Sequence, residues 1–296
     1  MRVSHHPHYA LRLPEGHPFP MSKYTLVRER LIERGTLAPG QIIEPCEVER
    51  AALELVHSSS YLDNLAAGDL SAPEQRRLGV PWSAALWRRA RLAVQGTLDA
   101  ARRALAEGVS GNLAGGTHHA FADHGEGFCV LNDVAVAIRA LQVEGAIAQA
   151  LVVDLDVHQG NGTAAIFADD PRVFTFSMHG ARNYPLEKLK STLDVELPDG
   201  MGDEEYLRLL AQQLERILSS FRPDIVFYLA GVDVAAGDRY GRLALSDAGI
   251  RARDRKVIGS TRSAGLPLVL TMAGGYAASP ERTAELHAIA YEEAAA

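Results

Sequence analysis

A chain of 296 residues is long for one folding unit but within reach of a large α/β sheet, and 47% hydrophobic against 23% charged residues is a globular balance. The formal charge of −7, from 37 acids and 30 bases, excludes a chain-wide electrostatic footprint for nucleic acid. No stretch approaches the roughly 20 apolar residues that span a bilayer and none at the start reads as a signal peptide, so a cytoplasmic location is the default expectation.

Helical patterns cover residues 82–108 and 130–145, and Gly108 and Gly145 close them. Val152 to Leu155 and Val173 to Ser177 read as buried strands. A helix over 203–221, a strand from Ile225 to Ala230, a helix over 246–265 with Ser246 and Asp247 at its N-cap and Gly265 at its end, and a strand from Leu266 to Met272 follow. The alanine-rich end after Tyr291 reads as frayed, and Cys46 and Cys129, without metal-type spacing, read as small buried residues. Alternation of this kind predicts one α/β domain over 1–296, a mainly parallel sheet between helical layers.

The polar clusters GGTHHAF, DLDVHQGNG, GVDVAAGD and AGGY all fall at or just beyond predicted strands, where such sheets place their ligand sites. In DLDVHQGNG, Asp154, Asp156 and His158 alternate, so a continuing strand would send all three to one face. Carboxylates with a neutral imidazole suit zinc or iron(II), and a catalytic centre needs three protein ligands and an open position. Asp156 and His158 supply two; Asp233 is the natural third, with Asp238 its competitor. Beside a metal, the pair His118 and His119 could divide base and electrostatic roles, with Asp154 orienting one of them, and Tyr276 could donate to an oxyanion. His5, His6, His8 and His17 are read as loop residues, and His57, His124 and His287 suggest nothing specific.

GGTHHAF, GEGFCVLNDVAVAI, VVDLDVHQGNGTAAIF, FSMH, YLAGVDVAAGD and AGGY, in this order and spacing, resemble the histone deacetylase family within the arginase and deacetylase fold group. HPHYALRLPEGHPFPMSKY, HQGNG and GVDVAAGDRYG are similar to its class IV branch. The resemblance implies a sheet of about eight strands and a zinc-dependent deacylase of acyl-lysine proteins or acylated polyamines and other small amines. It places zinc at Asp156, His158 and Asp233, makes His119 the general base and acid, His118 its electrostatic partner oriented by Asp154, and Tyr276 the carbonyl polariser. Phe128, Gly127 and Gly275 would wall the channel. Structural potassium would use Asp154, Asp156, His158, Ser177 and Met178, and a second site Phe167, Asp170 and Val173.

Three positions depart from the frequent pattern: Asn161 where an aspartate often backs the second histidine, Gln159 after His158, and Ala273 for a glycine. A neutral amide stabilises an imidazolium less than a carboxylate does, so Asn161→Asp is expected to raise the acidic limb of the pH–rate profile. The rivals are a two-manganese ureohydrolase, which needs further carboxylates, and a non-catalytic acyl-lysine binding module.

Overall fold

The computed structural model describes residues 1–296. In chain order the elements are β1 (Arg2–Ser4), α1 (Lys23–Glu33), β2 (Ile42–Ile43), α2 (Arg50–Leu53), α3 (Ser59–Ala67), α4 (Ala72–Leu78), α5 (Ala84–Glu107), β3 (Val109–Asn112), α6 (Asp133–Val143), β4 (Ala150–Asp154), α7 (Asn161–Phe167), β5 (Val173–Gly180), β6 (Leu193–Leu197), α8 (Asp203–Ser220), β7 (Ile225–Leu229), α9 (Asp247–Ser263), β8 (Leu268–Thr271) and α10 (Pro280–Ala295). The strands form one eight-stranded sheet in the order β2-β1-β3-β8-β7-β4-β5-β6, with every pairing parallel.

A parallel sheet needs both faces covered, which is why β4, β7 and β8 read as unbroken apolar runs. Alternate residues go to opposite layers. Leu151, Val153, Val226 and Tyr228 join the core formed with α1, α8, α9 and α10, while Ala150, Val152, Ile225 and Phe227 join the one formed with α5 and α6. Val3 and Ala294 lie in the same cluster, so the two ends of the chain share one core. No helix is long and apolar enough to cross a membrane.

Four strands escaped the sequence reading because their patterns are short or polar. Within β3, Ser110 Oγ donates to Arg2 O at 2.7 Å and Asn112 Nδ2 to Ala93 O at 2.9 Å, so polar side chains take buried places that apolar ones fill in the central strands. Two expectations are corrected. The C-terminus is not frayed: α10 runs to Ala295, pinned by Glu292 and Glu293, which pair with Arg34, Arg251 and Arg255. Cys46 is exposed, and Cys129 alone is buried.

The strands β3, β8, β7 and β4 are consecutive in the sheet. The segments that leave their C-terminal ends, 113–121, 272–276, 230–238 and 155–160, carry the four polar clusters, with Asp154 at the end of β4 and Asn161 at the start of α7.

Candidate active site

Strand β4 ends at Asp154, so Asp156 and His158 are not strand residues on one face, contrary to the period-two expectation. The backbone instead turns through two side-chain bridges, Asp154 Oδ1 accepting from Asp156 N at 3.1 Å and Asp156 Oδ1 from His158 N at 2.9 Å. Such turns are what short carboxylates favour just after a strand. They separate the aspartates: Asp154 faces His118, while Asp156 and His158 face Asp233.

His158 Nδ1 lies 3.0 Å from Asp156 Oδ1 and 3.2 Å from Asp233 Oδ2, and one ligand atom from each of the three residues falls within 4.8 Å of the others. Burial opposes charge on His158, yet Asp156 and Asp233 push its pKa up to about 10. Burial and then Asp156 push Asp233 up to about 7. Two buried carboxylates this close call for a cation. Asp233 Oδ2 is buried and has no aligned hydrogen-bond donor, whereas Oδ1 accepts from Val157 N at 2.9 Å. Position 274 must be glycine, because a Cβ there would stand 2.0 Å from Asp233 Oδ2 and 2.6 Å from Asp156 Oδ2. Donor set, unpartnered oxygen and bare cradle all fit a divalent metal of the zinc type. Asp238 is committed elsewhere, accepting from Tyr240 N, Gly241 N and Tyr276 N at 2.9, 3.0 and 2.7 Å.

The tandem histidines stand beside this trio with ring centroids 4.1 Å apart, but their backing differs. His118 Nδ1 bonds Asp154 Oδ2 at 2.6 Å, whereas His119 Nδ1 bonds Asn161 Oδ1 at 2.7 Å. Burial works against charge on His118, but Asp154 and Asp156 push its pKa up to about 9. For His119, burial and then the neighbouring His118 and His158 drive the pKa well below the usual imidazole range. One imidazole is built to be charged, the other to be neutral.

Both rings open on a cavity of about 350 Å³ whose wall includes Gly127, Phe128, Tyr184, Tyr240, Gly274 and Tyr276. Phe128 has φ 69°, strained for a bulky residue, and its N–H donates to Leu78 O at 2.8 Å. That anchor turns its ring to within 5.4 Å of Phe19 and 6.1 Å of Tyr276. Burial, then Asp233 and Asp156, keep the Tyr276 phenol neutral far above its usual range. Gly275 is a correction: Gly274 lines the cavity, and a Cβ at 275 would meet Val232, His287 and Thr283 instead. At the first suggested potassium position, Asp154 pairs in register with Ser177, and Met178 is buried. At the second, the Asp170 carboxylate is already taken by Arg139 and Arg172.

Sequence reasoning missed Lys23, fully buried at the start of α1, whose Nζ donates to Ala273 O at 3.0 Å. It braces the turn in which Ala273 takes φ 56°. A cation in a helix's first turn opposes the helix dipole, and that was the available signal. Glu126 was also missed; it accepts from Asn161 Nδ2 at 2.8 Å and from the Tyr184 hydroxyl. Gln159 proves structural, its buried amide bonding Leu189 N and Asp194 Oδ1 at 2.8 Å each.

The model of the histone deacetylase domain matches residues 17–291. The chain belongs to the histone deacetylase family. It is 49% identical to an uncharacterized protein of Picosynechococcus sp. over 93% of this chain and 92% of that one. It is 35% identical to histone deacetylase 2 of Arabidopsis thaliana over 90% of this chain and 71% of the relative. Among solved structures, a histone deacetylase homologue from Aquifex aeolicus superposes with a TM-score of 0.82 at 23% identity, covering 99% of this chain and 83% of its own, a likeness of fold. The eight-stranded parallel sheet is thus the family's architecture.

Proposed function

We propose that this member of the histone deacetylase family is a zinc-dependent amidohydrolase that removes acyl groups from lysine side chains or related amines. The observation that carries this reading is the convergence of the Asp156, His158 and Asp233 trio, whose first two members line the cavity, with two differently backed histidines that line it too. Zinc, or iron(II), held by the trio would supply Lewis acidity toward an acyl carbonyl and make water more acidic. His119, kept neutral, takes the proton from the attacking water at Nε2 and returns it to the departing amine. His118, held charged by Asp154, steadies the negative charge that develops beside it. The neutral Tyr276 hydroxyl donates a hydrogen bond to that developing charge. Phe128 flanks the stem of the acylated amine. Potassium near Asp154, Asp156, His158, Ser177 and Met178 would brace the strand end, and Asn161 with Gln159 supports a class IV affinity.

The test is hydrolysis of a panel of acyl-lysine peptides and acylated polyamines, with acyl chains from acetyl upward, by protein stripped with a chelator and then reloaded. Turnover is expected to vanish on chelation and to return with zinc or iron(II). Hydrolysis indifferent to chelation, or none on any member of the panel, would overturn the reading.

A further inference from the structure

A lone asparagine behind a histidine leaves two things open: which end of the amide faces the ring, and which ring nitrogen carries the hydrogen. Here both are decided by a third residue. Asn161 Nδ2 lies 2.8 Å from Glu126 Oε1, and a carboxylate can only accept, so the amide nitrogen faces Glu126. Asn161 Oδ1 therefore faces His119 Nδ1 at 2.7 Å, and since an amide oxygen also only accepts, Nδ1 must carry the hydrogen. Nε2 is left as the lone pair.

We propose that Glu126 is a positioning residue for His119, setting its tautomer through the Asn161 amide, so that the carboxylate backing this imidazole stands one residue further out than the one behind His118. Glu126 is itself held in place: the Tyr184 hydroxyl donates to Oε1, and His124 Nε2 lies 3.7 Å from Oε2. Tyr184 in turn packs edge-on against the His119 ring at 5.0 Å, so the relay closes on itself at the cavity mouth. Position 161 cannot simply be made acidic, because a carboxylate there would face that of Glu126 across the same short gap. The inference rests on the reading of His119 as the proton carrier, but the tautomer itself is a property of the folded chain.

The test is a double-mutant cycle on zinc-loaded protein, followed by kcat and by 15N NMR of the His119 ring. Asn161→Asp alone is expected to lower kcat by at least about tenfold, the scale of a lost outer partner. Adding Glu126→Gln to it is expected to recover most of that loss, because the amide this change installs can donate to the new carboxylate. Glu126→Leu, which removes the acceptor, is expected to turn the single Nδ1–H signal of His119 into a mixture of tautomers. If the two changes at 126 and 161 combine without coupling, or if Glu126→Leu leaves the Nδ1–H tautomer pure, the relay is wrong. If wild-type protein hydrolyses no acyl-amine while Glu126→Leu still shifts the tautomer, the functional reading fails and the relay stands.

Discussion

The floor of the cavity hangs from the ends of four neighbouring strands, whereas its mouth is carried by loops fastened through single side chains. On the floor, Asp154, Asp156 and Asp233 are each 3% exposed or less, and backbone amides of Asp156, Val157, His158 and Gly274 donate to them. At the mouth, Tyr184 is 40% exposed, and the 121–132 loop that carries Glu126 and Phe128 is clamped by His57. His57 Nδ1 bonds Phe121 O and its Nε2 accepts from Asn132 N, both at 3.0 Å. The buried charged groups thus sit at the ends of sheet strands, and the exposed groups around the opening sit on loops, where the proposed function would have them meet the substrate.

Changes on the floor are expected to remove turnover, and changes toward the mouth to have smaller effects. The largest belongs to Asp233→Asn, which keeps an acceptor for Val157 N but discards a ligand charge. Zinc content measured on purified protein should fall, with turnover dropping beyond the roughly 10- to 100-fold typical of an outer partner. Retained zinc and activity would return the third-ligand role to another residue. Tyr276→Phe comes next, with kcat expected to fall about 10²- to 10³-fold, the cost of an oxyanion donor, and KM to change little. Wild-type turnover in that variant would remove the phenol from the chemistry. Asp154→Asn can still accept from His118 but no longer favours its charge, and steady-state kinetics should record a loss of about 10- to 100-fold.

The smallest effect on turnover belongs to the mouth's clamp, which is read in stability instead. Burial pushes His57 down to about pKa 4, against 6.5 for the unperturbed ring. Between those values the unfolded chain holds a proton that the folded chain lacks, so stability falls as pH drops from 6.5 to about 4, and this residue contributes no slope above or below that window. Its share is at most about 1.4 kcal/mol per pH unit. Denaturant unfolding at a series of pH values should give His57→Gln a shallower slope across the window; an identical slope would show that the clamp does not titrate there.

The contrast between floor and mouth also explains how much was legible in the sequence. Asp156, His158, His118 and His119 belong to short motifs at strand ends, and local turns suffice to aim them. Even so, alternation misjudged how Asp156 reaches Asp233, because the bridges from Asp154 and Asp156 end the strand early. The residues favoured Asp233 over Asp238 without excluding the latter, and the physical reason lies in three backbone amides that arrive at Asp238 only when the chain is folded. Lys23 meets Ala273 and Glu126 meets Asn161 across long stretches of chain, so neither contact leaves a periodic trace. The central strands were readable as apolar runs, while β1 and β2 are too short and β3 too polar to announce themselves.

The central claim is that Asp156, His158 and Asp233 form a site for one catalytic metal. Zinc titrated into chelator-stripped protein, with bound metal and acyl-lysine hydrolysis followed together, tests it most directly. Activity is expected to rise in proportion to bound zinc and to level off at one ion per chain. A plateau at two ions, or binding that brings no activity, would contradict the account.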